Sequence, residues 1–159
     1  MFQTMHEDCY FLLVTVGTSI ATIYVIFWDF FVLQEMIFRL DILSQVGFIM
    51  TVFGIILRQL ARKALGRRFS YALRVISDHK IEEYGIYRHV RHPAYTGFVL
   101  IAFGVPLVFS SLYGFLVALP IIPAILYRMR IEEKMLIEEF GIEYLSYAKK
   151  TKKLLPLIY

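Results

Sequence analysis

The chain has 159 residues, 58% hydrophobic and only 19% charged, with a mean hydropathy of +0.62. That balance leaves too little polar surface for a water-soluble domain of this length and points to one domain of the integral membrane class. Its single cysteine, Cys9, excludes an internal disulfide framework and any cysteine-based metal cluster. The net charge of +4 and pI near 9.2 would suit nucleic acid, but the placement of the charge argues against that partner. Of the 17 Lys and Arg, nine lie at 58–91 and seven at 128–153, with only Arg39 elsewhere. Basic residues gathered in membrane-flanking segments mark the cytoplasmic side and suit anionic lipid headgroups.

The N-terminus lacks the basic start and small-residue cleavage site of a removable signal. Glu7 and Asp8 precede the first apolar run, 10–28, which reads as a retained span. Its 19 uncharged residues give roughly 28 Å of helix, about one hydrocarbon thickness. Trp28 with Phe27, Phe30 and Phe31 forms an interfacial aromatic belt. Asp29, Glu35, Arg39 and Asp41 mark a short polar connection to a second span, 42–61, whose Arg58 must snorkel to the boundary. Residues 62–93 are polar, and Gly66 marks a helix stop near their start.

An uncharged run of 34 residues follows, 94–127, too long for one span and barely enough for two. Ser110-Ser111-Leu112-Tyr113-Gly114 is its natural turn, giving arms over 94–109 and 112–127. Pro106, Pro120 and Pro123 are expected to kink the arms. From Arg128 to Lys150, the spacing of Ile131, Met135, Leu136, Phe140, Tyr144 and Tyr147 predicts an amphipathic helix, weakened at Gly141. Lys149, Lys150, Lys152 and Lys153 close it with a basic patch. The predicted fold is all-α: an integral membrane bundle of about four transmembrane helices with a cytoplasmic amphipathic C-terminal helix. Four crossings bring 62–93 and 128–153 to one face, cytoplasmic on the charge rule, with both termini there.

Chemistry concentrates where the polar segment enters the uncharged run, Tyr87 to Gly97, and where charge resumes at Arg128, Arg130, Glu132 and Glu133. A hairpin between them brings both clusters to one membrane surface, where charged groups are costly and usually functional. His89 and His92 have metal-pair spacing, but Pro93 drives the residue before it out of helical geometry, so no metal is expected. His92-Pro93 instead reads as a rigid polar pair that binds a ligand, whereas Arg88 and His89 read as interfacial charge. Arg128 and Glu132 share a helix face, so the structural alternative for this cluster is an ion pair at a solvated helix start. Dinucleotide glycine fingerprints, phosphate-binding P-loops and serine elbows are all missing, which excludes the common soluble nucleotide folds and serine hydrolases.

An ordered set of residues carries a resemblance. His79 is followed by Gly85-Ile86-Tyr87, then Arg91-His92-Pro93-Ala94-Tyr95-Thr96-Gly97. After the hairpin come Arg128, Glu132-Glu133, and Phe140-Gly141-Ile142-Glu143-Tyr144-Leu145-Ser146-Tyr147. This set resembles the isoprenylcysteine carboxyl methyltransferase family, to which phospholipid N-methyltransferases are related. Glu82-Glu83 departs from the apolar or hydroxyl residues usual at that place in the family. The resemblance implies a membrane-embedded methyltransferase that uses S-adenosylmethionine, held between the segment before the hairpin and the C-terminal helix. By position, His79, Ile81, Gly85, Tyr87, His92, Pro93 and Tyr95 would line the cofactor pocket, completed by Glu132 and Glu133. Arg128 and Glu133 would be the catalytic pair, with Arg128 facing the reacting centre. The acceptor would be a lipid-like or lipidated amphiphile, or an amphiphilic small molecule, offering a carboxylate, amine or thiol, and membrane lipids would be partners of the chain. Two other readings compete: an NADPH-dependent reductase related to membrane sterol reductases, and a non-enzymatic lipid-binding membrane protein.

Overall fold

A computed structural model of the protein describes residues 2–34, 40–66 and 84–154, with side chains from residue 8 onward. Helix α1 (Phe2–Trp28) runs directly into one π-helical turn, Asp29–Leu33. Helix α2 (Ile42–Leu65) follows, and a 3-10 turn, Gly85–Arg88, leads into α3 (Pro93–Val108). The chain then turns back through α4 (Leu112–Val117) and α5 (Ile121–Phe140), and ends in α6 (Ile142–Lys150). Three runs are long and apolar enough to cross a membrane: Asp8–Leu33, Ile42–Leu65 and Leu112–Phe140. Pro93–Val108 is a shorter apolar helix. Large apolar side chains stand exposed along α1 and α2, among them Leu13, Ile20, Tyr24, Phe48 and Ile49. So much exposed apolar surface, along helices long enough to span a bilayer, suits a lipid surround.

The most extensive pairing joins α2 to α3. Glycines spaced seven apart on each helix, Gly47 and Gly54 on one and Gly97 and Gly104 on the other, bring the two backbones together. A Cβ added to Gly54 would stand 2.7 Å from the Gly97 carbonyl oxygen, and one added to Gly97 would stand 2.6 Å from that of Gly54. Small residues at a membrane helix interface allow this closeness, and dispersion between the backbones then holds the pair. On the other side of α3, Phe103 packs with Ala118, Ile121, Ile125 and Met129 of the returning arm to form the buried apolar core. Helix α1 lies against α4 and α5.

One end of the bundle is closed by a polar clamp. Asp41 caps α2 by accepting from the Ser44 backbone N–H at 2.8 Å. Its carboxylate also accepts from the Ser110 hydroxyl at 2.9 Å, on the turn between α3 and α4. Gln34 Nε2 donates to the Phe109 carbonyl at 3.0 Å, tying the end of α1 to the same turn.

The second arm is interrupted near its prolines: a turn at 118–120 separates α4 from α5, with Pro120 as N-cap and Pro123 in the first turn, where a missing N–H costs little. The far end of that arm differs from the sequence pattern. Helix α5 then passes Tyr127 unbroken and carries the charged residues outward to Phe140. The amphipathic helix predicted over 128–150 is therefore two pieces. Gly141, with φ +52° and ψ −121°, breaks it in a conformation that residues with a Cβ rarely adopt.

Candidate functional site at the junction of α3, α5 and the tail

The end of the bundle away from the clamp gathers the segment before α3, the charged half of α5, and α6 with the residues after it. Pro93 at the first position of α3 fixes the helix start, and His92 is its N-cap, outside helical geometry as the proline demands. Val90 and Lys152 form a parallel β-bridge. Around it, Arg91 N–H donates to the Lys152 carbonyl at 2.8 Å, His92 N–H to that of Lys153 at 3.0 Å, and Lys152 N–H to that of His89 at 3.1 Å. Thr96 Oγ1 extends the seam by donating to the Leu154 carbonyl at 2.8 Å.

Arg91 is the fastener of this junction. Its Nη1 donates to the carbonyls of Ala148 and Thr151, both at 2.6 Å, satisfying the C-terminal end of α6. Its Nε donates to Glu133 Oε1 at 2.9 Å. One guanidinium thus joins the segment before α3 to α5 and to the end of α6. From the other side the buried Tyr147 hydroxyl donates to the Tyr87 carbonyl at 2.7 Å, fixing α6 to the 3-10 turn.

Glu133 lies among three nitrogen groups: Arg91, Lys153 Nζ at 2.9 Å from Oε2, and His92 Nε2 at 3.4 Å from Oε1. The His92 contact is close but lacks hydrogen-bond geometry, so this buried nitrogen has no hydrogen-bond partner. Glu132 Oε2, 3.9 Å from His92 Nδ1, is likewise a buried atom without a hydrogen bond. So is the Tyr144 hydroxyl. Burial, and then the Glu133 charge, push the Tyr144 phenol well above the ordinary tyrosine range, which keeps it a donor. Among the described residues, only Thr22 Oγ1 on α1 shares this condition with those three atoms. Native structures leave few buried polar atoms unsatisfied, so their gathering here makes this end of the bundle the candidate binding site.

A second group adjoins the first. Arg128, nearly fully buried, donates from Nη1 to Asp8 Oδ1 at 2.6 Å and from Nε to the Tyr95 hydroxyl at 3.1 Å. Its guanidinium carbon lies 4.4 Å from the centre of the Phe11 ring. The Tyr95 ring in turn packs on His92, with centroids 5.7 Å apart. The two groups are therefore continuous.

Of the residues singled out in the sequence, His92, Tyr95, Arg128, Glu132 and Glu133 come together here. Pro93 is buried at the helix start behind them. Tyr87 is buried, held through its backbone carbonyl by Tyr147. Gly85 opens the 3-10 turn, exposed to solvent. His79 and Ile81 lie outside the described residues. Sequence reasoning assigned no site role to Asp8, Arg91, Tyr144 or Lys153. Arg91 had a signal, since it begins the Arg-His-Pro run, and Tyr144 sat in the tail motif as one of a helical stripe.

The model of the isoprenylcysteine carboxyl methyltransferase (ICMT) family matches residues 46–138, more than half of the chain and a stretch that includes His92, Tyr95, Arg128, Glu132 and Glu133. The protein belongs to this family. Among curated ICMT-family relatives, the probable protein-S-isoprenylcysteine O-methyltransferase of Oryza sativa subsp. indica is 35% identical over 119 residues, covering 72% of this chain and 62% of the relative. The protein-S-isoprenylcysteine O-methyltransferase of Saccharomyces cerevisiae is 31% identical over 116 residues, covering 71% and 48%. The chain thus spans about half to three-fifths of these relatives' lengths. The solved structure of the eukaryotic intramembrane Ras methyltransferase ICMT superposes with a TM-score of 0.75 at 21% identity, covering 91% of this chain and 52% of that one. The shared architecture and the three apolar runs make this ICMT-family chain an integral, multi-pass, all-helical membrane protein.

Proposed function

We propose that this chain is a methyltransferase that uses S-adenosylmethionine to methylate a lipid-like or lipidated amphiphile at the cytoplasmic membrane boundary. The observation that carries this reading is the gathering of His92 Nε2, Glu132 Oε2 and the Tyr144 hydroxyl, buried and without hydrogen bonds, beside Glu133. Family membership and the names of its relatives support it. The residues present fit the cofactor. Glu132 and Glu133 suit its positive amino and sulfonium groups, while the Tyr144 hydroxyl and the cations around Glu133 suit its carboxylate. His92, Pro93, Tyr95, Glu132 and Glu133 would hold it, with Gly85 and Tyr87 shaping the turn behind, and His79 and Ile81 completing the pocket. The chemistry it supplies when bound is an electrophilic methyl group on a sulfonium.

Displacement at such a methyl moves charge rather than creating it, so alignment and exclusion of water are what the protein must provide. The seam between 90–92 and 152–153 would wall the site on one side. Arg128 orients the acceptor, for which its planar guanidinium suits a carboxylate best, while an amine or thiol remains within the same chemistry. The concentration of basic residues at 58–91 and 128–153 supports a cytoplasmic site with both termini on that side, and the whole chain acts as one membrane-embedded domain. Calorimetric titration of S-adenosylmethionine into the purified protein in detergent tests the reading. Saturable binding is expected, together with transfer of labelled methyl into an extracted amphiphile. No binding by a helical, monodisperse sample overturns it.

A further inference from the structure

We propose that the outer face of the α2–α3 pair holds a site for an anionic phospholipid, with Arg58 as the anchor of its headgroup. A groove of about 170 Å³ opens there, lined by Ile55, Arg58, Gln59, Arg62 and Ile101. None of these residues belongs to the candidate site described above. The lining passes from apolar to charged along α2, over roughly 10 Å from Ile55 to Arg62. The contacts on α3 keep the same order: Ile101 lies beside Gly54, whereas Arg58 lies beside Gly97, nearer the start of α3. A phosphate beside Arg58 and an acyl chain running over the two isoleucines match that gradient. The groove is too small for a whole lipid, and the exposed apolar face of α2 continues the path for the chains.

Arg58 is what calls for an anion. It is half-buried, in a helix long and apolar enough to cross a membrane. Its guanidinium carbon lies 5.3 Å from the centre of the Phe98 ring. The ring supports the cation through its face but neutralises no charge. Arg58 forms no hydrogen bond or ion pair among the described residues. Helices α2 and α3 contain no Asp or Glu, so the groove's own walls offer it no carboxylate. A cation at the edge of hydrocarbon is costly without an anion, and a phosphate accepts from the guanidinium fork at two oxygens. Gln59 adds an amide donor at the same level. A zwitterionic headgroup brings its own cation against Arg58 and Arg62, which selects against it. Free phosphate answers the charge but leaves the isoleucines uncovered, so a lipid is the occupant that uses the whole lining.

The test titrates the purified full chain in non-ionic detergent with dioleoyl phosphatidylglycerol, dioleoyl phosphatidylcholine and inorganic phosphate, and counts bound lipid by native mass spectrometry. Saturable retention of phosphatidylglycerol is expected, with phosphatidylcholine about tenfold weaker. Arg58→Gln should weaken phosphatidylglycerol about tenfold, the scale of a charge-assisted hydrogen bond. Lys149→Gln removes an exposed charge from α6 and should leave that affinity unchanged. Ile55→Trp fills the apolar half of the groove without altering charge and should also weaken retention, which keeps the proposal testable if Arg58→Gln fails to fold. Equal losses in Arg58→Gln and Lys149→Gln overturn the proposal, because diffuse surface charge would then account for binding. Equal affinity for the two lipids overturns it as well, as does displacement of the lipid by inorganic phosphate, which marks a site for soluble anions. A change of oligomeric state in Arg58→Gln with lipid retention unaffected makes this face a contact between copies and also overturns it. No methyl donor enters these titrations, so their outcome is independent of the proposed function.

Discussion

His92 and Glu133 face each other across the junction of α3 and α5, with Nε2 3.4 Å from Oε1 and each held by its own backbone frame. His92 is fixed by the N-cap position before Pro93 and by its N–H bond to the Lys153 carbonyl. Glu133 is fixed by Arg91 and Lys153. Neither residue needs the other to stay in place, and on the proposed function both would contact one small molecule. Glu133→Gln and His92→Ala are each expected to weaken S-adenosylmethionine binding by about 1.5–3 kcal/mol, the scale of hydrogen bonds to charged groups. Calorimetry on variants with unchanged helical content checks this, and unchanged affinity in both would remove them from the site.

Two tyrosines one helical turn apart make opposite predictions. The Tyr147 hydroxyl donates to the Tyr87 carbonyl, so Tyr147→Phe leaves a buried acceptor unsatisfied and should cost about 1–3 kcal/mol of stability. The Tyr144 hydroxyl has no partner, so Tyr144→Phe should leave stability unchanged or slightly raised while weakening cofactor binding. Thermal unfolding and titration of the two variants side by side distinguish a structural hydroxyl from a binding one.

Arg91 uses the planar fork of its guanidinium to bind two carbonyls and a carboxylate at once. Lysine keeps the charge and cannot reproduce that geometry. Arg91→Lys should therefore cost about 2–3 kcal/mol and release the tail from the 90–92 segment. Hydrogen exchange is the measurement: amides of 142–154 should lose protection first, while those of α2 and α3 keep theirs.

Close approach of α2 and α3 depends on the absence of side chains at their contact. Gly97→Val places atoms against the Gly54 carbonyl, 2.6 Å from where its Cβ would stand, and backbone cannot yield as a side-chain tip can. A loss of about 1–3 kcal/mol is expected, with the helices displaced and Thr96 drawn away from Leu154. Retention of the wild-type unfolding midpoint would show that the pair separates at no cost.

The membrane class, the folded-back hairpin and the meeting of two polar clusters were legible because they rest on composition. A run of 34 uncharged residues between charged flanks has few other solutions. The turn near Ser110 was legible for the same reason, although the structure adds that Ser110 is bound by Asp41. Helix ends were less so. The continuation of α5 past Tyr127 could not be read from hydropathy, because a helix passes from lipid to water without breaking. The division at Gly141 was visible only as a weak position, since composition does not reveal a φ of +52°.

The sequence by itself determined where the chain meets lipid and which ordered residues, from His92 to Glu133, belong to one chemical motif. Hydrophobic patterning and proline geometry act locally, and their signal survives without a fold. Tertiary structure alone decided that Arg91 clasps Glu133 and the tail, that Tyr144 is unpartnered while Tyr147 is not, and that Asp8 reaches Arg128. Those pairings depend on how each helix is rotated about its axis once packed. That rotation is set by contacts such as Gly54 against Gly97, which join segments far apart in the chain.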